Sequence, residues 1–349
     1  MKRARIAVVG CGNVSRGHIR GWLQHPNRAE VVALVDVARA LAEERRDQFK
    51  LADATIATDW RAVMGREDVD VINICTPGHL HAEITVAALE AGKHVMTEKP
   101  TGWDLEECRK LRWYAHKYAH LKVGVAYSLR YYPLNIRVRE LVRSGAIGRI
   151  LFAEGSHNHP HDFTRAPDPV GGGTHADRGG SYIPGSELTG ATHVFDLMRY
   201  LFGEVRDLFA FSESHATCVL MRFESGALGK ATAGSTSNQG IATPHVLCIQ
   251  GSEGTIVTQN AYQPGDAWSV PGYHGYLVRH KRQEPIESTT DTGHGDNTRT
   301  INFLDAIGRD VPLIAPLEDA VRTSELLHAI WDSQNLEIRV PVHRTAKTG

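Results

Sequence analysis

Residues 6–15 read Ile6-Ala7-Val8-Val9-Gly10-Cys11-Gly12-Asn13-Val14-Ser15, an apolar run that stops at a glycine-rich turn. Ile6–Val9 has the length and character of a buried strand, and Val14–His25 continues as a helix. A glycine at position 10 allows the tight turn. A second at position 12 lets backbone approach a pyrophosphate resting on the N–H groups of the helix N-terminus. The third small position is Ser15 rather than glycine or alanine, which still permits close packing of helix on strand. Asp36 follows the next apolar run, 26 residues after Gly10, where a carboxylate would receive the ribose hydroxyls of a dinucleotide.

Outward from this turn the first 125 residues keep one rhythm. Strand-like runs at Val31–Val35, Thr55–Ala57, Val71–Cys75, His94–Thr97 and Val123–Tyr127 alternate with helical stretches at Ala38–Phe49, Trp60–Met64, Leu80–Ala91 and Leu105–Tyr118. Strands separated by helices of 10–15 residues predict βαβ units and a parallel sheet, and continuous Val/Ile character predicts burial on both faces. After Tyr132-Pro133 the rhythm changes to a helix at Leu134–Arg143, a strand at Arg149–Ser156, an aperiodic loop over 157–190 and a helix from His193 to Phe202. Strands joined by tight turns fill 205–280, and helices at Asn297–Ile307 and Leu317–Ser333 close the chain. The expected fold class is α/β: a Rossmann domain with a parallel sheet over residues 1–125, then an α+β domain with a large, mostly antiparallel sheet over 126–349. The terminal helices are free to pack back on the first domain.

The totals exclude several classes. With 349 residues, 42% of them hydrophobic, the chain can bury two cores without staples. Thirty-nine basic against 40 acidic side chains give a net charge of −1, which lacks the field of a nucleic-acid binder. No apolar run approaches the roughly 20 residues of a membrane span, and the N-terminus lacks the core of a signal peptide. Five scattered cysteines with no CxxC spacing read as reduced thiols, so the expected location is cytoplasmic.

Two further segments narrow the reading. Val71-Ile72-Asn73-Ile74-Cys75-Thr76-Pro77-Gly78-His79-Leu80-His81 ends a strand in a Thr-Pro turn with histidines beside it. Ala91-Gly92-Lys93-His94-Val95-Met96-Thr97-Glu98-Lys99-Pro100 ends the next strand. Together with the glycine turn, these segments resemble the Gfo/Idh/MocA oxidoreductases, the glucose–fructose oxidoreductase and inositol dehydrogenase family. The resemblance continues through Ser128-Leu129-Arg130, Gly145-Ala146-Ile147-Gly148 and His193-Val194-Phe195-Asp196-Leu197 and covers almost the whole chain.

This resemblance implies NAD as cofactor, with NADP disfavoured. It places Gly10, Gly12, Asn13 and Val14 at the pyrophosphate, Asp36 at the adenosine ribose, Thr76, Pro77 and His81 beside the cofactor, and Glu98 and Lys99 near the nicotinamide ribose and the reacting carbon. A lysine at the carboxyl end of a parallel strand points into the crevice where open α/β sheets bind ligands, and there it could stabilise developing alkoxide character. His193 is the implied general base. In many members an aspartate precedes that histidine by four residues; here Thr189 stands there, so the partner of His193 must come from elsewhere, with Glu187 or a residue of the 157–177 loop as candidates. Arg130, Thr189 and Asp196 are expected on the substrate side.

Gly155-Ser156-His157-Asn158-His159-Pro160-His161-Asp162 places three histidines at alternate positions, so extended chain would turn all three to one side. They read as substrate-lining groups, His159 and His161 foremost, or as a solvated loop, two readings that the sequence does not separate, and no metal is expected. The leading expectation is hydride transfer between nicotinamide and a sugar, cyclitol or related polyol. An alternative retains NAD for transient oxidation during glycoside cleavage or isomerisation, with no net redox change; a non-catalytic sugar or nucleotide sensor comes third. The expected partners are a small-molecule polyol or sugar and further copies of the chain, as homodimer or homotetramer, with neither nucleic acid nor membrane.

Overall fold

The computed structural model describes residues 3–102, 104–161, 186–213, 216–237, 245–259, 274–288 and 295–342. The chain divides into two compact units, the first taking in Met1–Ser128 and Gly295–Ser324 and the second Leu129–His294 and Glu325–Arg344.

The first unit alternates strand and helix. Its strands are β1 (Ala4–Val9), β2 (Ala29–Val35), β3 (Thr55–Ala57), β4 (Val71–Ile74), β5 (His94–Thr97) and β6 (Val123–Val125). Its helices are α1 (Ser15–Leu23), α2 (Arg39–Gln48), α3 (Arg61–Met64), α4 (His81–Glu90) and α5 (Leu105–Lys117). All six strands run parallel in the order β3-β2-β1-β4-β5-β6, the doubly wound arrangement that the periodicity predicts. The chain order reverses between β1 and β4, which places the ligand crevice of such a sheet at their carboxyl ends.

Ile6, Val8, Ile19, Trp22, Leu34, Val71 and Met96 form the core of this unit, joined by Phe303 and Leu304. The last two come from the helix Asp296–Arg309, which packs on α1, and Trp22 meets Phe303 edge to face at 5.9 Å. Such aromatic pairs add about 0.5–1.5 kcal/mol to the burial of their area.

The second unit opens with α6 (Pro133–Arg143) and β7 (Ile150–His161) and continues with α7 (Ser186–Phe202). Its remaining strands are β8 (Val205–Glu213), β9 (Ala216–Phe223), β10 (Leu228–Ser237), β11 (His245–Gly251), β12 (Thr255–Gln259), β13 (His274–Arg279), β14 (Arg282–Pro285) and the short β15 (Val340–Pro341). In this numbering the helix Asp296–Arg309 is α8, and α9 runs from Leu317 to Leu336. The nine strands lie in the order β14-β13-β12-β11-β7-β10-β9-β8-β15 and pair antiparallel, apart from β7 with β10. One face, with Ala153, Ala210, Val219, Met221 and Ala231, is buried, and α7 packs over β7 and β10.

The expected loop over 157–190 is corrected at both ends. β7 runs on to His161 because β10 pairs with it residue for residue, His157 to Ala233 and His161 to Ser237. Pro160, which has no N–H to donate, sits where β11 no longer pairs in the described residues. At the other end α7 begins at Ser186, so His193 lies inside a helix and not at its head. Leu188, Thr192 and Phe195 keep a helical spacing across Gly190, and a single glycine inside a helix costs only about 1 kcal/mol. Residues 162–185 lie outside the described part.

Candidate active site

Five of the expected cofactor positions follow the ends of four neighbouring strands. Gly10 follows β1, Asp36 follows β2, Thr76 lies two residues past β4, and Glu98 and Lys99 follow β5. Backbone bonds tie these ends together: Gly10 N–H donates to Val35 O, Cys75 N–H to Val9 O and Glu98 N–H to Ile74 O, at 2.7–3.0 Å.

The turn after β1 is built as its glycines suggested. Gly10 has φ +93°, and a Cβ there would lie 2.5 Å from the backbone carbonyl of Cys75, so no other residue fits. A Cβ at Gly12 would meet nothing within 4 Å. The protein's own packing therefore does not demand that glycine, whereas a phosphate lying against the backbone would. Ser15 Oγ donates back to Gly12 O at 2.6 Å, and no side chain caps the N-terminus of α1. Asp36 accepts from Cys11 N–H at 2.7 Å and Ala38 N–H at 2.9 Å, which orients its carboxylate at the turn. Arg39 turns away to pair with Glu43 at 2.9 Å on the exposed side of α2. Thr76 Oγ1 is buried without a hydrogen-bond partner among the described residues. An open cradle at Gly12, an uncapped helix start, an oriented carboxylate and an orphaned hydroxyl fit a dinucleotide.

His81 plays a different part from the expected cofactor contact. It is 1% exposed, with Nδ1 2.7 Å from Pro100 O and Nε2 2.8 Å from Thr76 O, so the ring ties the segment after β5 to that after β4. Burial lowers its pKa, against the raising effect of the two carbonyls.

Beneath Glu98 lies a buried polar chain that motif reading did not single out. His18 Nε2 is 2.9 Å from Glu98 Oε1, Asn73 Nδ2 is 2.9 Å from His18 Nδ1, and Trp22 Nε1–H donates to Asn73 Oδ1 at 2.6 Å. A visible signal was Asn73 itself, the lone polar residue in the strand Val71–Ile74. Burial would raise the Glu98 pKa, but the His18 hydrogen bond and the charges of Lys99 and Arg299 outweigh it and hold it at about 2. Burial lowers the Lys99 amine, with Glu98 working in the opposite direction.

The second unit holds the other expected residues. His193 is partly buried on α7, its ring centroid 5.5 Å from that of His157 on β7. His159 and His161 lie at alternate positions of β7 and Thr189 and Glu187 on α7; their side chains fall outside the described part. Arg130 and Asp196, expected to meet substrate, are instead committed to each other. Arg130 Nε donates to one Asp196 oxygen at 2.6 Å and an Nη to the other at 2.7 Å, with both side chains 1% exposed and the guanidinium over the Tyr200 ring. Planar, bidentate geometry of this kind locks α7 to the turn Ser128–Tyr131. Sequence spacing showed two charges suited to a site but not that each was the other's partner. The five cysteines are unpaired as disulfides, and burial pushes the Cys11 thiol up to about 12. No helix among the described residues is long and apolar enough to cross a membrane.

A parallel dinucleotide-type domain with its acid, lysine and glycine turn, followed by an open-faced nine-stranded sheet, defines a class of two-part oxidoreductase. Residues 4–127 match the family described as "Oxidoreductase family, NAD-binding Rossmann fold", and residues 136–257 match the GFO/IDH/MocA C-terminal domain. The chain belongs to the Gfo/Idh/MocA family of NAD-binding oxidoreductases. It is similar to levoglucosan dehydrogenase of Pseudarthrobacter phenanthrenivorans, 32% identical over 58% of this chain and 52% of that protein. Inositol 2-dehydrogenase of Salmonella paratyphi B is 28% identical over 44% of this chain and 45% of that protein. The chain thus matches about half the length of these curated relatives. In fold it resembles a solved levoglucosan dehydrogenase in complex with NADH and levoglucosan, with a TM-score of 0.83, 23% identity, and coverage of 98% of this chain and 100% of that one.

Proposed function

We propose that this protein is an NAD-dependent dehydrogenase that exchanges hydride with a CH–OH carbon of a sugar, anhydrosugar or cyclitol. The observation that carries the reading is Lys99, a half-buried lysine at the carboxyl end of β5, beside a carboxylate held ionised and on the same strand-end row as the Gly12 cradle and Asp36. Relatives that act as dehydrogenases of levoglucosan and inositol support the polyol class.

The bound dinucleotide would supply the hydride acceptor. The chain's own residues do the rest. Gly10, Gly12, Asn13 and Val14 carry the pyrophosphate, Asp36 receives the ribose hydroxyls, and Thr76 and Pro77 line the cofactor. The Lys99 amine donates to the substrate oxygen and stabilises the charge that grows there as hydride leaves carbon. His193 takes the hydroxyl proton; from inside α7 it does so without the dipole of a helix N-terminus, and His157 is its neighbour. The outer face of the nine-stranded sheet joins two copies of the chain.

The test is a panel of polyols, sugars and glycosides offered with NAD. Stoichiometric NADH from at least one polyol is the expected result. Turnover of a glycoside without free NADH would establish internal redox instead, and ligand binding without any reduction of cofactor would leave only a sensor.

A further inference from the structure

We propose that His18 is a positioning residue that sets the charge state of Lys99 through Glu98. This deepens the dehydrogenase reading and rests on it for the role of Lys99. The indole Nε1–H of Trp22 can only donate. It donates to Asn73 Oδ1 at 2.6 Å, which fixes the amide with Nδ2 toward His18, 2.9 Å from Nδ1 against 3.2 Å for Oδ1. An amide nitrogen can only donate, so His18 Nδ1 is the acceptor. The ring proton then sits on Nε2 and is donated to Glu98 Oε1 at 2.9 Å. The tautomer is thus assigned by the network, from a residue four positions along α1.

Three members of the chain are inside the core, Trp22 and His18 at 2% exposed and Asn73 at 0%, and the Glu98 side chain above them is 15% exposed. In so dry a place a carboxylate stays ionised only if something favours its charged form. The second Glu98 oxygen takes the Lys99 backbone N–H at 3.2 Å, so the His18 donor and this amide hold the two oxygens. The other titratable and charged groups acting on Glu98 and its surroundings are Cys75, Arg299 and Lys99, with His81 beyond. Without the His18 proton, burial of Glu98 would be opposed only by the Lys99 backbone N–H and the charges of Lys99 and Arg299, which shifts the carboxylate toward its neutral form and weakens the negative charge that offsets the burial of Lys99. His18 therefore acts two steps from the reacting oxygen, as outer partners do for metal ligands.

The test compares His18→Asn with His18→Gln in the full-length protein. The glutamine amide reaches Glu98, and the shorter asparagine amide does not. Titration of the Lys99 amine is followed by NMR in lysine-labelled protein, alongside NAD affinity and kcat on the best polyol. For H18N we expect the Lys99 titration to fall by about one pH unit or more and kcat by about tenfold or more. NAD affinity should stay within about threefold, and H18Q should restore both titration and kcat. Equal behaviour of the two variants, whether both silent or both impaired, would make His18 a packing residue and overturn the proposal. Glu98→Gln, of native size, is a second arm: it should lower the Lys99 titration as far as H18N, and an unmoved titration would overturn the proposal even if H18N did not fold. The titration is read without turnover, so a protein that oxidises no polyol would sink the dehydrogenase reading and leave this link separately tested.

Discussion

The proposed function assigns the chemistry to Lys99 and the choice of cofactor to Asp36, and each assignment has its own test. Lys99→Ala should keep the fold and NAD affinity and lower kcat by at least about 10²-fold, the usual worth of a group that stabilises charge at the reacting atom. Steady-state kinetics with cofactor titration checks this, and a variant keeping more than a tenth of the native rate would remove Lys99 from the chemistry. Asp36 is held by two backbone N–H groups, and Arg39 pairs outward with Glu43. A 2′-phosphate would therefore meet a fixed carboxylate with Arg39 turned away from it, a like-charge contact costing on the order of several kcal/mol. NAD should bind at least tenfold more tightly than NADP, with Asp36→Ser narrowing the gap; equal dissociation constants in the native protein would contradict it.

At the scale of elements, each unit has one short contact whose removal can be tested. The β1–α1 turn approaches the end of β4 so closely that Gly10→Ala meets backbone at 2.5 Å and also needs φ +93°. The backbone conformation alone costs about 1–3 kcal/mol, and the clash adds to it. Thermal unfolding should show a clear loss of stability, and NAD binding should weaken with it; an unchanged melting temperature would mean the turn is looser than its geometry. The Arg130–Asp196 pair is the second contact. Arg130→Ala leaves a buried carboxylate uncompensated and should cost about 3–5 kcal/mol, whereas replacing both partners with apolar residues of similar volume should cost far less. Denaturant unfolding of single and double variants separates these outcomes. If the double variant is as damaged as the single one, the pair is not acting as a unit.

For the whole molecule, the open question posed by the second sheet is what covers its outer face. Phe211, Leu220 and Leu228 are 64%, 51% and 53% exposed on β8, β9 and β10, on the side opposite the buried Ala210, Val219 and Ala231. Large apolar side chains exposed on one sheet face are what the proposed interface between copies of the chain would cover. Light scattering should find a dimer or tetramer that Phe211→Glu with Leu220→Lys reduces in mass while the far-ultraviolet spectrum is kept. A monomeric native protein would sink the idea.

What the sequence by itself determined is what short-range physics controls. The alternation of apolar runs and helical stretches places β1 to β6 within a few residues, because strand and helix periods are local properties of the chain. Gly10, Gly12 and Asp36 are legible because a turn's backbone demands and a strand's carboxyl end are local too, and Glu98-Lys99-Pro100 was specific enough to name the family. Residues 157–161 and 186–192 were misread because their conformation comes from pairing with β10 and packing on the sheet, which no local period records. Only the tertiary structure decided which polar groups meet: His18 with Glu98 across 80 positions, and Arg130 with Asp196 across 66. A buried charge or amide must find its partner wherever folding brings one within about 3 Å, and that depends on strand order and helix docking rather than on neighbours along the chain.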